Sequence, residues 1–367
     1  MERKRLNVLQ SLRFLAFLTI FVHHCAGIIN INYGIAGLGV EFFFVLSGFL
    51  MAYNYWDKFD KKLTGKETWK FIVNKVKKFY PLLILTILLK APITLYKYYL
   101  EVGGINLEYF GVTISRLIPS IFLFQSYIPN ENYYYAFNGV AWFLDVIVLC
   151  YLLTPWVINK IRKLNNKKLI IIMVVISISK LLYNSFVTPI FGEYEGYSNY
   201  IFPLYRFFDY MQGILLGGVL LRIKDNKVNK TKMSILEIGI IILLMLGYHF
   251  RLIADHRTNQ EILSILIILI FAFESGCISK LLNNKVLVYL GTISMELYLV
   301  HQPIIKYFQF LSDKIGNEVV SVICFIASFI VSLIISMILN KYLKKTLDWM
   351  STKIKLRKNK VELSENK

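Results

Sequence analysis

An all-α polytopic membrane protein is the fold class that the sequence predicts, and three observations lead to it. Of the 367 residues, 56% are hydrophobic, and the mean hydropathy of +0.54 lies far above that of a soluble domain. Apolar runs of about twenty residues, the length that a helix needs to cross hydrocarbon, recur along the whole chain. Lysine and arginine concentrate in alternate connecting segments. These features predict about ten transmembrane helices, one further re-entrant or interfacial helix, and cytoplasmic termini.

The apolar runs give the predicted spans, and the basic residues give their orientation. Ten spans are placed near residues 8–29, 34–55, 79–100, 139–158, 168–187, 202–222, 233–252, 262–281, 286–309 and 318–340. The positive-inside rule decides whether a further apolar stretch, 109–127, crosses the membrane. If it does not cross, the segments assigned to the cytoplasm carry 32 of the 42 Lys and Arg; if it does, the later basic loops fall outside. We therefore predict 109–127 as a re-entrant or interfacial helix on the outer side.

Composition also indicates the domain organisation and the expected binding partners. Residues 1–345 are predicted to form one transmembrane domain and residues 346–367 a basic cytoplasmic tail. The first span lacks a small-residue cleavage site, so we expect it to stay uncleaved. Topology and attraction to anionic headgroups explain the net charge of +19, so membrane lipid is an expected partner and nucleic acid is not. The four cysteines are scattered through apolar runs, which favours small buried hydrophobes over disulfides or metal ligands.

Polar side chains in the first two spans are the first functional candidates, because such groups are costly in hydrocarbon. Arg13 and His24 are eleven residues apart, which places them within about 20° of one helix face and roughly 16 Å apart along the axis. His23 points about 80° away from that face. His24 and Glu41 are expected at matching depth on consecutive helices. There the carboxylate could orient the imidazole as a general base, or the two could form a purely structural pair.

A second stripe of functional candidates lies on the predicted span 202–222. Arg206, Asp209, Gly213 and Gly217 recur at i, i+3, i+7 and i+11. The two glycines form a small-residue packing face. The charged pair is open to two interpretations: a neutralised strut between helices, or an Arg206 that hydrogen-bonds the acceptor or a developing oxyanion.

Further candidates for substrate binding lie on two other spans. Ser294, Tyr298 and His301 share one helix face at i, i+4 and i+7. Trp142 and Asp145 begin the fourth span after an aromatic outer loop. Interfacial aromatics often form only a headgroup belt, but they can also stack on sugar rings. No metal site is expected, because His23 and His24 diverge on their helix and no other histidine lies at ligand spacing.

Basic residues near the inner ends of the spans suggest a phosphate site. Lys75 and Lys78 end a basic loop, and Arg13 is expected beside them near the inner face. These three cations could clamp the phosphates of a cytoplasmic cofactor, or they could serve only the positive-inside rule. No Gly-rich phosphate loop occurs in the sequence, so a nucleotide hydrolase is not expected.

Four strings taken in order resemble the membrane acyltransferase 3 family, the ten-helix O-acyltransferases of bacterial surface glycans. The family patterns and their matches are R-x10-H at Arg13 and His24, G-V-[DE]-x-F-F-x-x-S-G-F at residues 39–49, R-x-x-[DE]-x-x-x-G at 206–213, and S-x-x-x-Y-L-x-H at 294–301. The resemblance covers nearly the whole chain. It implies a multi-pass protein of the bacterial cytoplasmic membrane, an acyl-CoA donor on the cytoplasmic side and a carbohydrate acceptor outside.

Two departures from the family pattern qualify this resemblance. The family's cytoplasmic R-x-x-R appears here as Lys75-x-x-Lys78, which keeps the charge but loses the planar fork of the guanidinium. The string W-S-L-x-x-E of many members reads WFLDVI at 142–147, without the glutamate, so Asp145 is only a weak substitute.

The sequence thus leads to one favoured function and two rivals. The favoured one is an O-acyltransferase, with acetyl-CoA the expected donor, Arg13, Lys75 and Lys78 on its phosphates, and His24 as general base oriented by Glu41. A transporter or flippase of a glycan or lipid-linked sugar could instead use the polar groups as a proton relay, although no inverted repeat or paired broken helices are evident. A scaffold for polysaccharide assembly would need neither His24 nor Glu41.

Overall fold

The computed structural model describes residues 3–29, 34, 36–223, 228–253 and 257–365, with side chains up to residue 345 except 344. Within these ranges the regular structure is helical and contains no strand. The α-helices are α1 (Asn7–His24), α2 (Ala36–Tyr55), α3 (Gly65–Val76), α4 (Tyr80–Val102), α5 (Leu107–Ile121), α6 (Glu131–Tyr134), α7 (Trp142–Ile161), α8 (Asn166–Leu182), α9 (Pro203–Ile223), α10 (Lys230–His249), α11 (Arg257–Phe271), α12 (Cys277–Leu282), α13 (Lys285–Thr292), α14 (Ser294–Ile315) and α15 (Glu318–Glu365).

Seven helical segments of the described chain are long and apolar enough to cross a membrane. They are Asn7–Gly27, Ala36–Tyr55, Tyr80–Val102, Trp142–Ile161, Asn166–Tyr194, Lys230–His249 and Glu318–Leu343. Each coincides with one of the predicted spans. An all-helical, multi-pass membrane protein is therefore confirmed, whereas the count of ten crossings and the cytoplasmic termini stay predictions.

The other three predicted spans differ from these seven for identifiable reasons. The span 202–222 forms the continuous helix α9, but polar residues in its first half lower its hydropathy. The span 262–281 divides into α11, which has only 15 residues, and the short α12. The span 286–309 divides at Ile293 into α13 and α14, and α14 carries Glu296, His301 and Lys306. A helix that buries polar groups against its neighbours need not be apolar all round.

The ambiguous stretch 109–127 contains α5, which has 15 residues and is shorter than a full crossing requires. Its apolar residues Phe110, Ile114 and Ile118 recur every four residues and are each about half exposed. On another face, Arg116 donates two hydrogen bonds of 2.7 and 2.8 Å to Glu101 of α4. The helix is amphipathic and tied to α4, and its interfacial or re-entrant placement stays a prediction.

Two smaller predictions concern the boundary of the C-terminal tail and the burial of the cysteines. Helix α15 continues without a break past residue 346, where the tail was predicted to begin, and the division into domain and tail stays a prediction. Cys25, Cys150 and Cys324 are buried and free, as expected for small hydrophobes, but Cys277 is exposed at the start of α12.

Helices α2 and α9 pack with their backbones in close contact. A Cβ atom added to Gly213 would lie 1.8 Å from the carbonyl oxygen of Val45, and one added to Gly48 would lie 1.9 Å from that of Tyr210. Gly217 continues the same face against Ala52. The predicted small-residue packing face is confirmed, and its partner is the helix that carries Glu41.

Because backbone oxygen blocks the space beside Gly213, we expect Gly213→Ala to destabilise the protein by about 1–3 kcal/mol through overpacking. The thermal unfolding of detergent-purified protein measures this effect. Gly239→Ala is the matched control, since Gly239 lies in α10 with nothing within 4 Å of its would-be Cβ. Equal unfolding temperatures for both variants would contradict the role given to the contact.

Candidate active site

A cavity of about 410 Å³ lies where the end of α1, the start of α2, the middle of α4 and the centre of α14 meet. Its apolar lining includes Ile20, Ala36, Val40 and Val140. Its polar and aromatic lining consists of His23, His24, Lys90, Tyr135, Trp142, Tyr200, Tyr298, Gln302 and Lys306. The cavity therefore combines two imidazoles, two ammonium groups and several aromatic rings.

His24 is half-buried at the end of α1 and faces this cavity. Its closest aromatic neighbour on another helix is His301 of α14, at 5.2 Å between ring centroids. His301 is fully buried, and its Nδ1 lies 3.1 Å from the carbonyl oxygen of Leu297. Because a carbonyl can only accept, Nδ1 carries the proton in the neutral ring and Nε2 is an acceptor. That Nε2 has no hydrogen-bond partner among the described residues.

The expected direct pair of His24 and Glu41 is not formed, and this part of the sequence interpretation is wrong. Glu41 is fully buried; its Oε1 accepts a hydrogen bond of 2.5 Å from Nη1 of Arg206, and its Oε2 finds no partner in the part of the chain described. The reason is helical phase. Glu41 lies seven residues before Gly48, nearly in line with it, so both point at α9, whereas Val40 points into the cavity.

Arg206 and Asp209 are fully buried and belong to an ionic chain that crosses four helices. Arg206 donates to Asp209 over 3.0 Å, and Lys180 of α8 forms ion pairs with both Asp209 and Glu261 of α11. The chain alternates in sign, with three carboxylates and two cations. The sequence analysis gave no role to Lys180 or Glu261, although a charged residue within an apolar run is itself a signal.

An aromatic wall separates this ionic chain from the cavity. The guanidinium carbon of Arg206 lies 4.8 Å from the ring centroid of Tyr200 and 6.0 Å from that of Trp142. Both rings line the cavity, whereas Arg206 and Asp209 do not. Of the two interpretations left open for this pair, the geometry supports the strut. Trp142 lines the cavity, and its contact with substrate stays a prediction.

Besides Arg206 and Asp209, three more of the predicted substrate-binding residues lie outside the cavity lining. Asp145 is buried and accepts a hydrogen bond of 2.8 Å from the backbone N–H of Ser126, which ties the loop before α6 to α7. Ser294 is buried at the first position of α14, and its hydroxyl has no partner among the residues described. His301 lies directly behind His24 rather than in the lining. Their assignment from sequence therefore receives no geometric support as direct substrate contacts.

The cations predicted to hold phosphates meet around Tyr151 of α7. The Lys75 ammonium lies 4.2 Å from the ring centroid of Tyr55 and 5.9 Å from that of Tyr151. Arg13 interacts electrostatically with the same Tyr151. Burial lowers the pKa of Lys75 to about 7, and the nearby Lys78 and Lys58 act in the same direction. Lys78 itself is exposed. The three predicted cations thus belong to one region, without a carboxylate partner within 4 Å in the described chain.

Sequence reasoning did not single out the lysines and the glutamine of the cavity. The Lys90 ammonium donates to Oε1 of Gln302 over 3.1 Å, and the same oxygen accepts the backbone N–H of Gly139 over 2.7 Å. The signal available was again a lysine within an apolar run. In the described ranges, no group of three or more His, Cys, Asp or Glu side chains is arranged to hold a metal ion.

Comparison with known proteins agrees with the resemblance seen in the motifs. Residues 6–341 match the Acyl_transf_3 model, which describes an acyltransferase domain. Acyltransferase MdmB of Streptomyces mycarofaciens is 28% identical over 177 residues, which cover 45% of this chain and 42% of that relative. The matched region thus spans less than half of the relative's length. No solved structure matches the chain.

The ionic chain gives a testable consequence for stability. In Lys180→Met, Asp209 and Glu261 lose their shared cation inside the bundle, so we expect a destabilisation of about 3–5 kcal/mol, measured as a lower thermal unfolding midpoint in detergent. Lys168→Met is the control, because Lys168 is exposed on the same helix. Adding Glu261→Met to Lys180→Met should recover part of the loss. A double variant as unstable as the sum of the single ones would contradict the coupling.

Proposed function

Because the chain belongs to the Acyl_transf_3 family of acyltransferases, we propose that it is an integral-membrane O-acyltransferase. It transfers an acyl group, expected to be acetyl, from cytoplasmic acyl-CoA to a hydroxyl of an extracytoplasmic carbohydrate, in the cytoplasmic membrane of a bacterium. The observation that carries this proposal is the imidazole of His24, half-buried and facing a cavity with an aromatic wall.

In the proposed reaction, His24 is the general base. Its unprotonated ring nitrogen takes the proton of the acceptor hydroxyl while the hydroxyl oxygen attacks the thioester carbonyl carbon. The new C–O bond forms as the C–S bond breaks, and the electron pair of that bond leaves on sulfur. The imidazolium of His24 returns the proton to the thiolate, so free CoA and the O-acyl ester are the products.

His301 takes the orienting role that was predicted for Glu41. Its proton is held on Nδ1 by the Leu297 carbonyl, which leaves Nε2 free to accept a hydrogen bond next to the His24 ring. A neutral acceptor orients His24 without the full stabilisation of an imidazolium that a carboxylate gives. Glu41, together with Asp209, instead holds Arg206 behind the aromatic wall, and so positions Trp142 and Tyr200.

The donor is proposed to bind with its phosphates near Arg13, Lys75 and Lys78. Arg13 and His24 lie on one face of α1, roughly 16 Å apart along the axis. The pantetheine arm would span this distance between the helices and bring the thioester to the cavity. Arg13 and Lys75 both lie near Tyr151, and this proximity supports a shared phosphate site.

A transporter or flippase is the alternative function, because charged groups buried within membrane-spanning helices also mark substrate and ion pathways. The two functions differ in their ligands. Detergent-purified acyltransferase should gain thermal stability from CoA and acetyl-CoA, since a ligand of the folded state raises the unfolding temperature. A transporter of glycans should respond to neither.

We expect His24→Ala to abolish acyl transfer from radiolabelled acetyl-CoA to the surface glycan of expressing cells, because the base is lost. The variant should still show a cooperative thermal unfolding transition and should still be stabilised by CoA. His249→Ala is the control, since His249 is exposed at the end of α10, away from the cavity. Glycan acylation at the normal level in His24→Ala would eliminate the mechanism.

The lowered pKa of Lys75 predicts that CoA binding depends on pH. Above about pH 7 the free protein increasingly carries a neutral Lys75, so the affinity for CoA should fall between pH 7 and 8.5, where the CoA phosphates are already ionised. Lys75→Arg should remove this dependence, because arginine keeps its charge over the whole range. Titration calorimetry at several pH values measures it. A wild-type affinity that is flat with pH would place the phosphates elsewhere.

A further inference from the structure

A second cavity, of about 260 Å³, adjoins the His24 cavity and shares Lys90, Tyr135 and Lys306 with it. Its own lining adds Lys97 of α4, Arg116 of α5 and Glu131 of α6. A basic compartment that the mechanism does not use therefore lies next to the cavity of the catalytic imidazole proposed above.

The charges of this compartment are unbalanced. Arg116 is neutralised by its two hydrogen bonds to Glu101. In the described chain, none of Lys90, Lys97 and Lys306 has a carboxylate within 4 Å. Lys90 and Lys306 donate only to glutamine oxygens, and Glu131 supplies one negative charge in the lining. Asp313 acts on Lys306 from farther away. The lining keeps an excess of positive charge where an anion would be stabilised.

This basic compartment lies far from the proposed donor phosphates. Helix α4 begins at Tyr80, two residues after Lys78, and Lys97 follows Tyr80 by 17 residues, or about 26 Å along the helix axis. His24 lies toward the Lys97 end, because both cavities share Lys90. One CoA molecule whose thioester points at His24 from the Lys75 end does not also reach Lys97 with its phosphates.

We propose that the basic compartment binds an anionic group, a carboxylate or a phosphate, of the acceptor, so that the acyl acceptor is an acidic sugar unit. This proposal rests on the acyltransferase function and names the class of its acceptor. Tyr135 lies at the junction of the two cavities and offers its ring face to the sugar. The anionic group then meets Lys97 and Lys306, and a hydroxyl of the same ring is directed to His24. Lysines act as point charges and accept either anion.

The test measures binding without turnover, so that it does not depend on acyl transfer. Thermal unfolding in neutral detergent at low salt is followed with glucuronate, glucose 1-phosphate, glucose, glycerol 1-phosphate and CoA as probes. The variants are Lys97→Gln and Lys306→Gln. Lys314→Gln is the control, because it removes an exposed charge from α14 outside both cavities. We expect at least one of the two anionic sugars to stabilise the wild type more than glucose does.

We expect each cavity variant to weaken the anionic sugar about tenfold, the loss of one charge-assisted hydrogen bond, and to leave the CoA shift intact. Lys314→Gln should behave as the wild type. Equal shifts with glucose and both anionic sugars, or no shift with any sugar, would overturn the proposal. So would loss of CoA binding in the cavity variants, which would make the compartment a donor site. A response to glycerol 1-phosphate alone would make it a lipid-headgroup site. If CoA itself gives no shift while the anionic sugars do, the acyltransferase function fails and the anion site remains.

Discussion

The contact between α2 and α9 is the constraint on which the rest of the structure depends. Charged groups in the membrane-spanning part of a protein are tolerated only with partners close at hand. The glycines at 48 and 213 let the two backbones approach until no Cβ fits between them. That approach brings Glu41 to within 2.5 Å of Arg206 and starts the ionic chain that continues to Glu261. The same chain holds the aromatic wall from behind.

The aromatic wall separates the charged residues that pair within the protein from the charged residues that face the cavity. Behind Trp142 and Tyr200, the charged groups pair with one another, although Oε2 of Glu41 and Nη2 of Arg206 have no hydrogen-bond partner among the described residues. In front of the wall, His24, Lys90 and Lys306 face open space with few protein partners. Groups without partners are the ones that can interact with a ligand. The proposed chemistry is therefore placed on the side of the wall where the protein has not already neutralised its charges.

Parts of the site were predictable because they follow from local pattern. The stripe from Arg206 to Gly217 requires only helical periodicity, and its packing role is confirmed in the structure. The general importance of buried charges follows from the cost of burial alone. The pairing of those charges did not follow. Glu41 and His24 were matched by expected depth, and depth says nothing about the direction in which a side chain leaves its helix. Lys180 and Glu261 are distant in sequence, and their contact depends on how α8, α9 and α11 pack.

The sequence by itself determined the fold class, the seven spans that are apolar enough to be recognised, and the family resemblance. It also identified the polar residues whose burial in the membrane costs enough free energy to indicate a structural or functional role. These follow from composition and from short-range periodicity, which are properties of the chain before it folds. The tertiary structure alone decided that His24 neighbours His301, that Glu41 neighbours Arg206, and that Lys90 and Lys306 join two cavities. These facts depend on the rotation of each helix about its axis. That rotation is set by packing against several neighbours at once, which no single stretch of sequence encodes.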